Sequence, residues 1–124
     1  MTEPAPPPRR LTATPADVTL GPVDLVADGK ARNFVLEMKA GRFHGFVVRH
    51  GDTVRGYVDR CPHTLMPLTQ QLDDYMTDRG DYIQCCWHGA LFRPDDGYCV
   101  AGPCRGQSLT AWPVEVRDGV LVTA

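Results

Sequence analysis

Cys61-Pro62-His63 and, after a spacer of 21 residues, Cys85-Cys86-Trp87-His88-Gly89-Ala90-Leu91-Phe92 are the stretches whose reading decides the fold. Each brings one thiolate and one imidazole, beside a Pro or Gly suited to a tight loop. Two thiolates and two imidazoles complete a metal's ligand set. Cys61, His63, Cys85 and His88 are therefore the candidate cofactor- and metal-binding residues. Residues 59–106 hold all five cysteines, with Pro62, Pro67, Pro94, Pro103, Gly80, Gly89, Gly97, Gly102 and Gly106. This is a loop-rich segment of the kind that carries chemistry on a rigid frame.

On either side the pattern is β. Val18–Leu20 and Asn33–Met38 read as strands, with Asp28-Gly29 marking a turn between them. Phe46–Arg49 and Val54–Val58 flank His50-Gly51-Asp52 and read as a hairpin. Val114–Arg117, Asp118-Gly119 and Val120–Val122 repeat the device. There Val114, Val116, Val120 and Val122 alternate with their neighbours, as in a half-buried sheet. A short helix is expected around Leu68–Met76. The Pro-rich start has no apolar period, and residues 1–16 are expected to form a disordered tail. One domain then spans 17–124, with its loop-rich insert at about 59–106.

Size and charge narrow the function classes. A chain of 124 residues supports one modest core and leaves no room for a second, catalytic domain. Nothing resembles a nucleophile–base pair or an oxyanion site, so no catalytic residues are assigned and the chain is read as no enzyme. A net charge of -2 gives no reason to expect nucleic acid or a membrane as partner. No apolar run reaches the roughly 18 residues of a membrane span. Arg9-Arg10 raises the question of twin-arginine export, but Leu11–Asp17 contains Pro15 and Asp17 and forms no apolar signal core. An odd cysteine count fits a reducing, cytoplasmic compartment better than a disulfide framework.

The ligand set admits two readings. Two Cys and two His can hold tetrahedral zinc in a metal-stabilised binding module. Fingers of that type place both cysteines before both histidines, whereas here the order alternates, and the strands already supply a core. In a Rieske [2Fe–2S] centre one iron keeps two Cys and the other takes two His. Each of two loops then supplies one Cys and one His.

The chain resembles the Rieske ferredoxins and related Rieske domains over roughly residues 18–122. The resemblance is carried by the two Cys–His motifs, by Asp96-Gly97 and Gly102-Pro103, by Trp112-Pro113-Val114-Glu115-Val116 and by the Asp118-Gly119 hairpin. It implies an all-β fold, a β-sandwich or partly closed barrel with an inserted cluster-binding subdomain. It implies one Rieske-type [2Fe–2S] cluster, with Cys61 and Cys85 on the inner iron and His63 and His88 on the outer one. Gly102-Pro103 would be the third loop, covering the cluster from the side. The implied role is a soluble ferredoxin, passing single electrons from a flavin reductase to a terminal oxygenase. An alternative is a small electron-transfer or accessory subunit of a nitrite-reductase-like complex.

Two features depart from the family pattern. Leu65 stands where a small residue is common, and the spacer between the motifs is long, its surplus expected within Leu72–Asp81. High-potential relatives carry a loop-joining disulfide and two hydroxyl donors near the cluster. The corresponding positions here are Met66, Trp87, Ala90 and Phe92. With fewer donors to stabilise the more negative reduced cluster, the midpoint is expected at the low end of the Rieske range, about -150 mV.

The other singled-out residues have plainer readings. Cys86 is expected to be a small buried hydrophobe, Trp87 either to pack over the cluster or to serve as an electron-path or docking aromatic, and His44 and His50 to lie on the surface. Cys99 and Cys104 bracket Val100-Ala101-Gly102-Pro103 and are expected to be thiols. Between residues 69 and 96, Asp73, Asp74, Asp78, Asp81, Asp95 and Asp96 stand against Arg79 and Arg93, an acidic collar that could steer a basic partner.

Overall fold

Phe43, Phe46, Val47 and Val48 leave residues 41–50 with apolar side chains on both faces, and this stretch becomes the central strand of the largest sheet. The computed structural model describes residues 10–62, 68, 75–77, 79–85 and 89–124. In chain order the strands are β1 (Arg10–Leu11), β2 (Thr19–Pro22), β3 (Ala31–Met38), β4 (Gly41–His50), β5 (Thr53–Val58), β6 (Ile83–Gln84), β7 (Leu91–Phe92), β8 (Cys99–Ala101), β9 (Ala111–Trp112), β10 (Val114–Arg117) and β11 (Val120–Thr123). One 3-10 turn, Val23–Leu25, follows β2. No helix among the described residues is long and apolar enough to cross a membrane.

Three sheets form among the described residues. In the first, β3 runs antiparallel along β4, while β5 and the short parallel β1 share the opposite edge of β4, and β9 extends β5. The second has the order β10-β11-β2. Residues 59–110 leave the first sheet after β5 and return to it at β9, which pairs with β5 through Gly56↔Trp112 and Tyr57↔Ala111. The third sheet, β6-β7-β8, lies within that insertion. The architecture is thus all-β, with the inserted subdomain expected from the sequence.

Both expected hairpins form. His50 pairs with Thr53 across Gly51-Asp52. Arg117 pairs with Val120 across Asp118-Gly119, whose φ values of 49° and 77° suit a two-residue turn that follows the sheet twist.

The core divides in two. Around Trp112 gather Val26, Phe34, Phe43, Val47, Val54, Val58 and Leu121. The Trp112 ring lies 4.7 Å from Phe43 and 6.2 Å from Phe34, centroid to centroid. Gly45 makes room for it, since a Cβ there would meet Trp112 Cε3 at 2.7 Å and Phe43 Cε1 at 2.6 Å. The second cluster joins Phe46, Val48 and Tyr57 of the base to Leu68, Tyr75, Ile83, Ala90, Phe92, Leu109, Cys61, Cys85, Cys99 and Cys104 of the insert.

Three expectations are corrected. The tail reading extended to residue 16, yet Arg10–Leu11 pairs with Arg42–Phe43 and the Thr14 hydroxyl accepts a 2.9 Å hydrogen bond from Trp112 Nε1. Residues 1–9 lie outside the described residues. The helix expected at Leu68–Met76 is absent where the chain is described. Leu68 sits in a bend, and Met76 forms an antiparallel bridge with Ile83. Residues 69–74 lie outside the described residues. In the last hairpin, Val114 and Val116 sit opposite Thr123 and Leu121, not Val120 and Val122. β11 pairs on both edges, and Leu121, Val122 and Thr123 are all buried, while Val116 near the turn is exposed.

Candidate metal centre

Cys61 and Cys85, the thiols of the two motifs, are each 1% exposed and belong to the same buried cluster. Cys61 follows β5 after Asp59 and Arg60. Cys85 follows β6 directly. Its N–H donates to Ala90 O at 2.9 Å, and its carbonyl accepts from Gly89 N–H at 3.0 Å, so the ends of the second loop are tied together. Gly89 takes φ 68° and is exposed.

The third loop lies against this turn. Gly102 (φ 96°) sits so close that a Cβ would fall 2.7 Å from Ala90 Cα. Gly102 and Pro103 are exposed, while Ala90 beneath them is buried. Behind the loop, Cys99 and Cys104 are thiols with their sulfurs 3.4 Å apart, and Cys99 Sγ–H donates to Ala101 O at 3.1 Å. Burial, then the Cys99 thiol, then Cys61, push the Cys104 thiol up to about 12. It therefore stays protonated at neutral pH.

Asp96-Gly97 has a structural explanation. Asp96 accepts from Tyr98 N–H at 3.0 Å and holds Arg93 by two bonds of 3.1 and 2.6 Å. These partners, the Tyr98 amide foremost, lower the Asp96 carboxyl below its ordinary range. Tyr57 fastens the same turn to the base, donating to Pro94 O at 2.5 Å.

The structure therefore brings together Cys85, Ala90 and Gly102, with Cys61 buried in the same cluster. His63 and His88 lie outside the described residues, as do Leu65, Met66, Cys86 and Trp87. Of the acidic collar, Asp81, Asp95 and Asp96 are exposed and Asp96 is engaged by Arg93; Asp73, Asp74 and Asp78 lie outside the described residues. His50 is exposed, with Nε2 3.2 Å from Gly80 O. His44 is half-buried within β4 rather than at the surface.

Sequence reasoning missed one group altogether. Asp59, two residues before Cys61, is only 5% exposed and accepts hydrogen bonds from Leu68 N–H and Tyr75 Oη–H, both at 2.9 Å. A lone Asp before Cys-Pro-His carries no periodic signal. Its isolation in an apolar surround is visible only in three dimensions.

A model of the Rieske [2Fe-2S] domain matches residues 18–116. The chain belongs to the Rieske [2Fe-2S] domain family. Ferredoxin CarAc of Metapseudomonas resinovorans is 32% identical over 78 residues, which cover 63% of this chain and 67% of that relative. Among solved structures, the complex of reduced oxygenase and oxidized ferredoxin in carbazole 1,9a-dioxygenase contains a chain 26% identical, with a TM-score of 0.66 over 86% of this chain and 91% of that one. The ferredoxin of carbazole 1,9a-dioxygenase from Nocardioides aromaticivorans IC177 shares the fold, with a TM-score of 0.67 at 22% identity over 89% of this chain and 98% of that one.

The cofactor of this family is a [2Fe–2S] cluster, and the Rieske chain described here fits it. Two thiols, Cys61 and Cys85, are buried in one core cluster. A glycine backbone closes over the second loop where any side chain would intrude. The protein is an electron-transfer component rather than a catalyst.

Proposed function

We propose that Cys61, His63, Cys85 and His88 hold the cluster, and that the chain is a soluble, cytoplasmic ferredoxin passing single electrons from a flavin reductase to a terminal oxygenase. The observation that carries this reading is the split in exposure across the site. Cys61 and Cys85 are buried, whereas Gly89, which follows His88 directly, and Gly102-Pro103 are exposed. That arrangement supports cysteines on an inner iron and histidines on an outer one, facing the surface where an electron leaves.

When bound, the cluster supplies one-electron reduction and oxidation. The chain does the rest. Cys61 and Cys85 bring thiolates out of water, Ala90 and Phe92 present no hydroxyl donors beside them, and the Gly102 backbone limits solvent entry. These features support a midpoint near the low end of the range, about -150 mV. The oxygenase as acceptor rests on the relatives: one similar solved structure is a complex of reduced oxygenase and oxidized ferredoxin.

A redox titration followed by stopped-flow mixing with a carbazole-type terminal oxygenase tests the proposal. The reading expects a midpoint below zero and electron transfer that slows as ionic strength rises. A midpoint well above zero, or no transfer to any oxygenase of this type, contradicts it.

A further inference from the structure

We propose that Asp59 is a positioning residue for the cluster: a buried carboxylate that ties the base strand β3 to both described ends of the segment following Cys61-Pro62-His63. The proposal rests on the ligand assignment above.

The geometry is specific. Asp59 Oδ1 accepts from the Leu68 backbone N–H at 2.9 Å. Asp59 Oδ2 accepts from Tyr75 Oη–H at 2.9 Å and, over a longer 3.4 Å, from Asn33 Nδ2. Asn33, on β3, also donates to Tyr75 Oη at 2.7 Å. Leu68 and Tyr75 are fully buried. Leu68 and Tyr75 bracket the segment between them, so one carboxylate pins two points of the chain on the far side of His63.

The network reaches the second loop as well. Tyr75 stacks on Phe46 at 4.2 Å, with the rings 10° from parallel. The Tyr75 carbonyl accepts from Gln84 N–H at 2.7 Å, and Gln84 is the residue before Cys85. Asp59 thus stands two residues from one thiol ligand, and Tyr75 is bonded to the neighbour of the other. Each hydrogen bond to the Asp59 side chain comes from a donor, and the carboxylate oxygens supply the acceptors. A hydrophobe of similar size would remove the acceptor that Leu68 N–H and Tyr75 Oη–H share.

Two variants open the clamp at different points: Asp59→Asn, which turns one of the two carboxylate acceptors into a donor, and Tyr75→Phe, which removes a donor; each is studied as the full chain reconstituted with iron and sulfide. The g values of the reduced cluster and the rate of cluster loss to a chelator are read for each. Both variants should shift the g values and lose the cluster several-fold faster than wild type. A wild-type cluster-loss rate in Tyr75→Phe overturns the clamp, even if Asp59→Asn does not fold. Unshifted g values in the folded variants overturn the positioning role. A wild-type chain with no Rieske spectrum fails differently, because it removes the ligand assignment and the clamp with it.

Discussion

Around Trp112 the chain buries Val26, Phe34, Phe43, Val47, Val54, Val58 and Leu121, and the strands that carry them include β3 and β4, eight and ten residues long. Around Cys61 the insert's strands are only two or three residues long. That second cluster also holds Cys61, Cys85, Cys99 and Cys104, with Asp59 bonded at its edge. The first region is stabilised by apolar burial and continuous ladders. The second has too few ladder bonds for that. It relies on turns closed by glycine, a carboxylate network and, by the ligand assignment, metal bonds whose free energy is also folding free energy. We expect the base to keep its structure without the cofactor and the insert to depend on it.

The largest expected effect breaks this division directly. Cys85→Ser should abolish the visible absorption. It should also strip hydrogen-exchange protection from the amides of Cys85, Gly89 and Cys99 while those of β3 to β5 keep theirs. Uniform loss of protection across both regions would refute two separable levels of stability. Next in size is Trp112→Ala, expected to destabilise the base by about 3–5 kcal/mol. Chemical denaturation checks this, and an unchanged transition midpoint would show that the aromatic core matters less than its burial implies.

Gly102→Ala should follow at about 2 kcal/mol. It combines the strain of a side chain at φ 96° with a 2.7 Å approach to Ala90 Cα. The harm should fall on the insert: faster cluster loss, with the base unfolding as in wild type. The smallest effect sits on the seam. Tyr57 is pushed from 10.0 up to about 12, first by burial and then by Asp96, with Arg55 opposing and Asp95 adding. The unfolded chain ionises this phenol first, so its contribution is whole below pH 10 and is lost as pH rises through about 12. The melting temperature of wild type should therefore fall more steeply across that window than that of Tyr57→Phe. Parallel curves would contradict the raised value.

What was legible follows the same division. Val54–Val58, Asp118-Gly119 and the Cys–His motifs are local signals, and they announce the hairpins, the insertion and the family. The latch of Arg10–Leu11 on β4 was not legible, because two residues have no period and Thr14 meets Trp112 only after folding. The Asp59–Tyr75–Asn33 network was hidden for the same reason: its members are 16 and 42 residues apart. The alternation of Val120 and Val122 did not mark a half-buried strand, because Leu121 and Thr123 are buried as well and β11 pairs on both edges.

The central claim is that two Cys–His loops hold a [2Fe–2S] cluster with mixed sulfur and nitrogen ligation. Electron paramagnetic resonance of the dithionite-reduced protein tests it most directly. The account predicts a brown-red protein that, once reduced, gives one unpaired electron per chain in an axial or rhombic signal of low average g. A colourless protein containing zinc, or an iron protein whose signal is that of an all-thiolate cluster, would contradict it.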